Sequence, residues 1–441
     1  MSPPVDRVES DARLPEAADV VVIGGGMIGV AAAYALAKKG HSVALVEKGH
    51  VAGEQSSRNW GWCRQQNRDE RELPLITQSL EIWGGLAEEI GADLGFRRNG
   101  LIYVTEDPSQ LAEWEAWCAM AQRYQVHSRM LSAAEAAALT PGCTGKFIGG
   151  VHSPTDGRAE PAMAAPALAA AARRRGVTLH QGCAARGLET TAGAVSAVVT
   201  EKGRIRTQRV LLAGGAWSSL FCRRLGIDLP QAGVRSTAFF TTPAPEVTPG
   251  GLSMAGAAIR RRVDGGYTVS VRNRGTLEIT PQGLRYARAF WPLFRKNGAH
   301  LAIRIGRSFL EGPEALARWS LADVSPFERI RVLDPAPDLA IVEDGLKGLV
   351  ALYPSLAGIR MQEAWAGWID FTPDAIPVIS PVATLPGFFL ATGFSGHGFG
   401  IGPAAGRLAA DLVAGDPPIV DPAPFRHARL LDGTMGPPGP M

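Results

Sequence analysis

Three glycines open the chemistry of this 441-residue chain. Gly24, Gly26 and Gly29 stand in G-x-G-x-x-G spacing directly after the apolar run Val20 to Ile23. In that spacing the first glycine makes a tight turn, the second lets backbone approach a pyrophosphate, and the third lets a helix pack closely on a strand. Met27 and Ile28 begin that helix, whose first N–H groups have no partner of their own and carry a partial positive charge. Glu47, at the end of the next apolar run, stands where a carboxylate accepts hydrogen bonds from a ribose, with Lys48 beside it. Strand, helix, second strand and acid are in register, so Asp19 to Glu47 reads as a dinucleotide-binding unit.

Other reactive side chains lie in two further stretches. Gly53 to Arg71 (GEQSSRNWGWCRQQNRDER) combines Ser56, Ser57, Asn59 and two tryptophans with several arginines and has no helix or strand period. A long irregular segment carrying large aromatics is expected to fold over a ligand. Arg64 offers a planar fork suited to a carboxylate; the competing reading makes it a clamp on its own loop. Cys63 is either a thiol activated by Arg64 or a packed one. Near the C-terminus, Gly393 to Gly400 (GFSGHGFG) is small and turn-prone, and it is expected to open a helix running from about Phe399 to Ala414. His397 there is either a base or a packing and hydrogen-bonding residue. Ser395 is not a nucleophile elbow, because His397 occupies the last glycine position of that motif. Asp370 either holds a cationic amine or caps the turn before Thr372-Pro373. The histidines and cysteines show no zinc spacing, so no metal is expected.

The elements that must position these groups follow a doubly wound pattern. The strand around Arg209 to Ala213 runs into Gly214, Gly215 and Trp217, and Phe388 to Ala391 runs into Gly393. Ligands bind beyond the carboxyl ends of strands in such sheets, so these turns join the Gly24 turn on one edge. The expected fold is α/β, a Rossmann-like nucleotide-binding domain interleaved with a mainly antiparallel-sheet substrate domain. The expected division is a flexible leader over 1–18, nucleotide-binding parts at 19–84, 151–230 and 339–427, substrate parts at 85–150 and 231–338, and a flexible tail over 428–441. Short strands are expected at Leu339 to Leu352 and Ala375 to Ile379, and helices near Pro281 to Lys296 and Gly312 to Ser320.

Composition narrows the partners. A formal charge of +3 gives no support for nucleic acid, and the basic cluster Arg260 to Arg262 with Arg272 and Arg274 reads as a solvated rim. Five widely spaced cysteines without C-x-x-C suggest reduced thiols and a cytoplasmic setting. No apolar run is long enough to span a membrane, which leaves peripheral contact with an inner membrane open.

GGGMIG with Glu47, SSRNWGWCR, VLLAGGAWSS at 210–219, WAGWIDFTPDAIPVIS at 365–380 and ATGFSGHGFGIGPAAGRLAADL at 391–412 together resemble the D-amino acid oxidase superfamily. Within it the chain is similar to the glycine/sarcosine oxidase and D-amino acid dehydrogenase branch, in order over nearly the whole chain and least over 85–150 and 235–335. The resemblance implies FAD and oxidation of the C–N bond of an amino acid or N-substituted amino acid, giving an imine that water hydrolyses. Its electron acceptor would be oxygen or a quinone or other electron carrier. It implies cofactor contacts from Gly24, Gly26, Met27, Ile28, Gly29, Glu47 and Lys48, and from a second loop of Ser56, Ser57, Asn59 and Gly61. Gly214 with Trp217, and Gly393, Ser395, Gly396, His397 and Gly398, complete the implied set. A lysine that follows this last motif in sarcosine oxidases is Gly400 here, and the arginine that relatives carry before T-P-D is absent around Asp370. No cysteine lies at 365–374, so the resemblance implies non-covalent FAD. These departures leave Arg64 as the carboxylate partner, and oxidase and dehydrogenase both open. A non-catalytic FAD-binding subunit of a larger complex is the alternative. A pyridine-nucleotide disulfide reductase would need a second glycine fingerprint or a redox cysteine pair, which the chain lacks.

Overall fold

The computed structural model describes residues 3–272 and 274–439; residues 1–2 and 440–441, at the outer ends of the expected leader and tail, and residue 273 lie outside them. The strand Val20–Ile23 lies inside a six-stranded sheet ordered Val378–Pro381, Phe388–Thr392, Val210–Leu212, Val20–Ile23, Val43–Val46, Thr178–His180. Every pair is parallel except the outermost, Val378–Pro381 against Phe388–Thr392. The unbroken apolar runs VVVI and VALV are buried throughout, as a sheet covered on both faces requires. One face is covered by the helices Met27–Lys38, Leu73–Ile90, Pro161–Arg174 and Gly402–Ala414. At Gly406 two of them nearly touch: a Cβ there would lie 2.5 Å from Ala31 Cβ and 2.7 Å from the Ala32 nitrogen. The other face carries a three-stranded antiparallel sheet, Ala185–Thr191, Ala194–Thr200 and Gly203–Arg206, packed through Leu188, Val195, Val198 and Ile205.

A ten-stranded, largely antiparallel sheet forms the second layer system. Its spine is Ala232–Thr241, paired along its length with Met361–Phe371. Because side chains alternate along a strand, Ala232, Val234, Ser236 and Ala238 face one cavity together with Gly367, Ile369 and Phe371. Asp370, one residue out of step, points to the other side.

Several expectations are corrected. Leu339–Leu352 is a helix capped by Asp338, not a strand; its buried Ile341, Val342, Gly345 and Leu349 follow the helical period, which β-branched residues obscure. Gly312 to Ser320 forms no helix: Gly312 sits at φ +96 and Glu314 turns inward to Thr280. The last helix starts at Gly402, after a turn, and not at Phe399. Gly149–Ser153 pairs with Leu101–Thr105, and Met361–Phe371 with Ala232–Thr241, so the expected boundaries at 150/151 and 338/339 cut into the antiparallel sheet. The expected loose leader is hydrogen-bonded to the body: Asp6 N–H donates to the Ala162 carbonyl, and Asp11 holds both Arg173 and the Leu179 N–H. The tail is likewise tied, with the Gly439 N–H donating to the Asp374 carbonyl.

Candidate active site

The carboxyl ends of Val20–Ile23, Val210–Leu212 and Phe388–Thr392 converge on one elongated cavity. Gly24, Gly26, Met27 and Ile28 line it, with Glu47, Lys48, Ser56, Asn59, Gly214, Trp217, Gly396 and Gly398. Gly24 is held at φ +112, and a Cβ on it would strike the Ala213 carbonyl at 2.3 Å. Gly29 lies behind the cavity, where a Cβ would fall 1.9 Å from the Gly24 carbonyl, so its work is to let helix and strand approach. Ser56 Oγ accepts the Met27 N–H at 2.8 Å, supplying the cap that Gly26 cannot. Glu47 accepts the Gly25 and Gly49 N–H groups at 2.7 Å each. Burial pushes its carboxyl above the ordinary range against these bonds. Lys48 pairs with Glu54 at 2.6 Å and lies 4.5 Å from the centre of the Trp217 ring, whose N–H also reaches Glu54. Burial alone would raise the Glu54 carboxyl, but Lys48 holds it below the usual range.

Ser57 and Gly61 do not line this cavity. Ser57 Oγ donates to the Glu54 carbonyl, and the Gly61 N–H donates to Asn59 Oδ1 at 2.8 Å. Both shape the loop. Asn59 donates to the Ser56 carbonyl, also at 2.8 Å.

The turn after Phe388–Thr392 is tightly built. Ser395 takes φ +50, rare for a serine, between Gly393 and Gly396, both also left-handed. The Asp370 carboxylate accepts the Gly393 N–H at 3.0 Å and Gln231 Nε2 at 3.2 Å, and the Asp370 carbonyl accepts the Ser395 N–H. Burial lifts this carboxyl to about 7. Asp370 thus braces the turn from the cofactor side and does not line the larger cavity, so its expected hold on a substrate amine is not the contact the structure makes. His397 is buried with Nδ1 3.0 Å from Glu72 Oε2. Burial, reinforced by the Arg68 charge, lowers it below the ordinary histidine value.

Gln55, Asn59, Gly396 and Phe399 belong to both this cavity and a second, of ≈ 510 Å³. At one end of the second stand Arg64, Arg68 and Arg272 with Tyr103 among them; its walls include Phe290, Trp291 and Phe294. The Arg64 and Arg272 guanidinium carbons lie 6.0 and 4.9 Å from the Tyr103 ring centre. Arg64 donates to the Gln66 carbonyl, and Arg272 to Ser253 Oγ at 3.1 Å. Arg68 Nε and Nη1 are buried with no hydrogen-bond partner among the described residues. Burial, then the Arg64 charge, pushes Arg68 down to about 9. Among the described residues no carboxylate forms an ion pair with any of these three arginines. The loop that carries two of them is fixed by Asp156, which accepts the Gln65 and Gln66 N–H groups, and by a left-handed Asn67. Gly400 backs onto the same loop: a Cβ there would lie 3.0 Å from the Trp62 carbonyl and 3.5 Å from the Arg64 nitrogen.

The family model described as DAO: FAD dependent oxidoreductase matches residues 19–412. The chain belongs to this family. FAD is therefore its cofactor, and this FAD dependent oxidoreductase is 28% identical over 424 residues to glycine oxidase of Pseudomonas aeruginosa, covering 93% of this chain and 99% of that one. It is 26% identical to mitochondrial sarcosine dehydrogenase of Mus musculus over 92% of this chain, which spans 40% of that protein's length. The solved L-amino acid deaminase of Proteus myxofaciens in complex with anthranilate superposes with a TM-score of 0.91 at 31% identity, over 98% of this chain and 97% of that one.

The glycine strand ends of this oxidoreductase lie on one sheet edge, and Arg64 and His397 line the larger cavity. Sequence reasoning missed Gln55, Arg68, Glu72, Tyr103 and the wall from the helix Pro281–Asn297. It also read Arg260 and Arg272 as a solvated rim. Arg260 is fully buried against Glu160 at 2.7 Å, and Arg272 turns into the cavity. The one available signal was the R-x-x-x-R-x-x-x-E spacing of Arg64, Arg68 and Glu72. Cys63 is not activated: it is buried, and desolvation drives its thiol upward.

Proposed function

We propose that the protein oxidises the Cα–N bond of an α-amino acid or N-substituted amino acid carrying a bulky apolar or aromatic side chain. The observation that carries this reading is a large cavity, joined to the cofactor cavity, whose end holds three arginines without ion-pair partners among the described residues. Two guanidinium forks and the orphaned Arg68 donors suit a carboxylate, and the aromatic walls suit an apolar side chain. The deaminase neighbour was solved with anthranilate, an aromatic carboxylate, which is the combination this cavity offers.

The residues that would hold FAD are Gly24, Gly26, Met27 and Ile28 for the diphosphate, with Glu47 for the ribose. Lys48, Ser56, Asn59, Gly214 and Trp217 would hold its middle, and Gly396 and Gly398 its ring end. Held by these residues, FAD would supply a two-electron acceptor for the hydride that leaves the substrate α-carbon. The protein's own share is positioning. Arg64, Arg68 and Arg272 fix the carboxylate; the side-chain pocket sets the α-carbon toward Gly396; His397, neutral and held by Glu72, keeps the turn in place. As the α-carbon hydrogen leaves with its electron pair, the neutral amine loses an N–H proton to solvent, and the imine so formed is hydrolysed by water to an oxo acid and ammonia or an amine. No cysteine lines the cofactor cavity, which supports non-covalent attachment.

A screen of amino acids following flavin bleaching without oxygen tests this. Bleaching by aromatic and branched amino acids, and not by glycine, is expected; bleaching by none overturns the reading. A second reading, a FAD-binding subunit of a larger complex that is not active alone, is supported by similarity to sarcosine oxidase subunit beta of Arthrobacter sp, 24% identical over 95% of this chain. Turnover by the purified chain alone decides between them.

A further inference from the structure

Among the described residues three carboxyls line the cofactor cavity, those of Glu47, Glu54 and Asp370. Glu54 is paired with Lys48 at 2.6 Å, and the Lys48 charge also acts on Glu47. Asp370 differs from both. No lysine, arginine or histidine among the described residues pairs with it, although it is buried. Strand register puts it there: Asp370 stands opposite Gly233 where Met361–Phe371 pairs with Ala232–Thr241.

Its hydrogen bonds leave a defined place for a proton. The Gly393 N–H at 3.0 Å and Gln231 Nε2 at 3.2 Å both donate to Oδ2. The Gln231 amide is held in this sense, because its oxygen accepts the Ser219 N–H at 2.9 Å and its nitrogen also reaches Thr392 Oγ1 at 3.0 Å. Oδ2 is thus an acceptor whether the carboxyl is charged or neutral, and Oδ1 is the oxygen left to be protonated. Burial, the largest cause, and the Glu54 charge on the same cavity raise this carboxyl, against the Gly393 N–H, which favours the anion. Gly233, the turn at 214–217, Gln231 and Thr392 bring no titratable group to it, and His397 faces Glu72 instead.

We propose that Asp370 takes up a proton from solvent when the bound flavin is reduced. A hydride brings two electrons and one proton to FAD, so the cavity gains one negative charge. A second negative charge on a buried neighbouring carboxylate is then disfavoured. Asp370 binds one proton on Oδ1, which restores the charge of the cavity, and releases it when the flavin is reoxidised. The balance closes: the amine gives a hydride from its α-carbon and an N–H proton to solvent, and solvent gives one proton to Asp370. In turnover the hydride comes from the oxidation proposed above. In the test dithionite supplies the electrons, so the two readings fail separately.

The midpoint potential of the FAD-loaded protein is measured against reference dyes between about pH 7.5 and pH 9, above the Asp370 value in the oxidised protein. Two electrons taken with one proton make reduction about tenfold less favourable per pH unit, about 30 mV; with two protons the change is about a hundredfold, about 59 mV. The wild type should follow the two-proton slope and Asp370→Asn the one-proton slope, since asparagine keeps an oxygen for Gly393 and Gln231 but takes up no proton. Equal slopes in the two proteins overturn the proposal. The infrared difference spectrum on reduction at about pH 8 gives a direct second reading. A protonated carboxyl C=O band should appear in the wild type and be missing in Asp370→Asn. No such band in the wild type, or one that persists in the variant, overturns the proposal, and the first of these readings stands even where Asp370→Asn fails to hold FAD.

Discussion

The Asp370 carboxylate accepts the N–H of Gly393 at 3.0 Å, tying the end of Met361–Phe371 to the turn that closes the cofactor cavity. This tie is made by a group that burial lifts to about 7. An acid raised above its unfolded value of 3.8 binds its proton more tightly in the folded state. Its stabilising share is therefore complete below about pH 4 and is lost as pH rises toward 7. Asp370→Asn removes the titration and keeps a carbonyl for the Gly393 N–H. In urea unfolding of the apoprotein, the variant should lack a loss of up to a few kcal/mol that the wild type shows between about pH 4 and pH 7. Identical pH slopes would show that folding does not raise the Asp370 carboxyl.

Glu47 holds two backbone N–H groups and faces the cavity. Glu47→Ala should weaken FAD binding by about 1.5–3 kcal/mol, the scale of a hydrogen bond to a charged group. Titration of the apoprotein with FAD, read by fluorescence, measures it. Unchanged affinity would move ribose recognition elsewhere.

What was readable in the sequence was what is local. The Gly24 turn, its helix and Glu47 lie in one continuous unit, and each glycine there is enforced by a neighbour that can be anticipated, as Gly29 is by the Gly24 carbonyl. The arginine end of the cavity is different. Tyr103, Arg68 and Arg272 meet only because Leu101–Thr105 joins the ten-stranded sheet beyond Tyr267–Ser270, a pairing of distant strands that no local spacing reveals. The direction of Asp370 was hidden for a simpler reason: a shift of one residue in register moves a strand side chain to the opposite face.

Arg64→Ala should leave FAD bound and cost about 2–5 kcal/mol in kcat/KM, the range for truncating one member of a buried charged pair. Arg64→Lys should recover part of it, since an ammonium cannot make a two-pronged contact. Arg68 and Arg272 share the same cavity end, so the losses from Arg64→Ala and Arg272→Ala should not add. Loss of flavin in Arg64→Ala before any loss of substrate would make the residue a loop clamp.

His397 lies below its ordinary value of 6.5, so it is neutral at pH 7 and its share of stability is lost as pH falls through that lowered value. His397→Ala leaves Glu72 buried without its imidazole partner and should cost about 1–3 kcal/mol in urea unfolding at pH 7. A kcat/KM profile that rises only as the substrate ammonium loses its proton, and does so equally in His397→Asn, agrees with a neutral positioning residue. A rise of the rate with an apparent pKa near 7 that His397→Asn abolishes would make it a base.

The central claim, that the two joined cavities carry out oxidation of an amino acid at its Cα–N bond, is tested most directly by a single turnover without oxygen. FAD-loaded protein is mixed with an amino acid identified by bleaching, and reduced flavin, oxo acid and released ammonia or amine are counted together. The account predicts equal amounts of all three, and no reduction with the matching oxo acid or with the amine lacking a carboxylate. Flavin that stays oxidised with every amino acid, or that is reduced equally by the amine without its carboxylate, would contradict it.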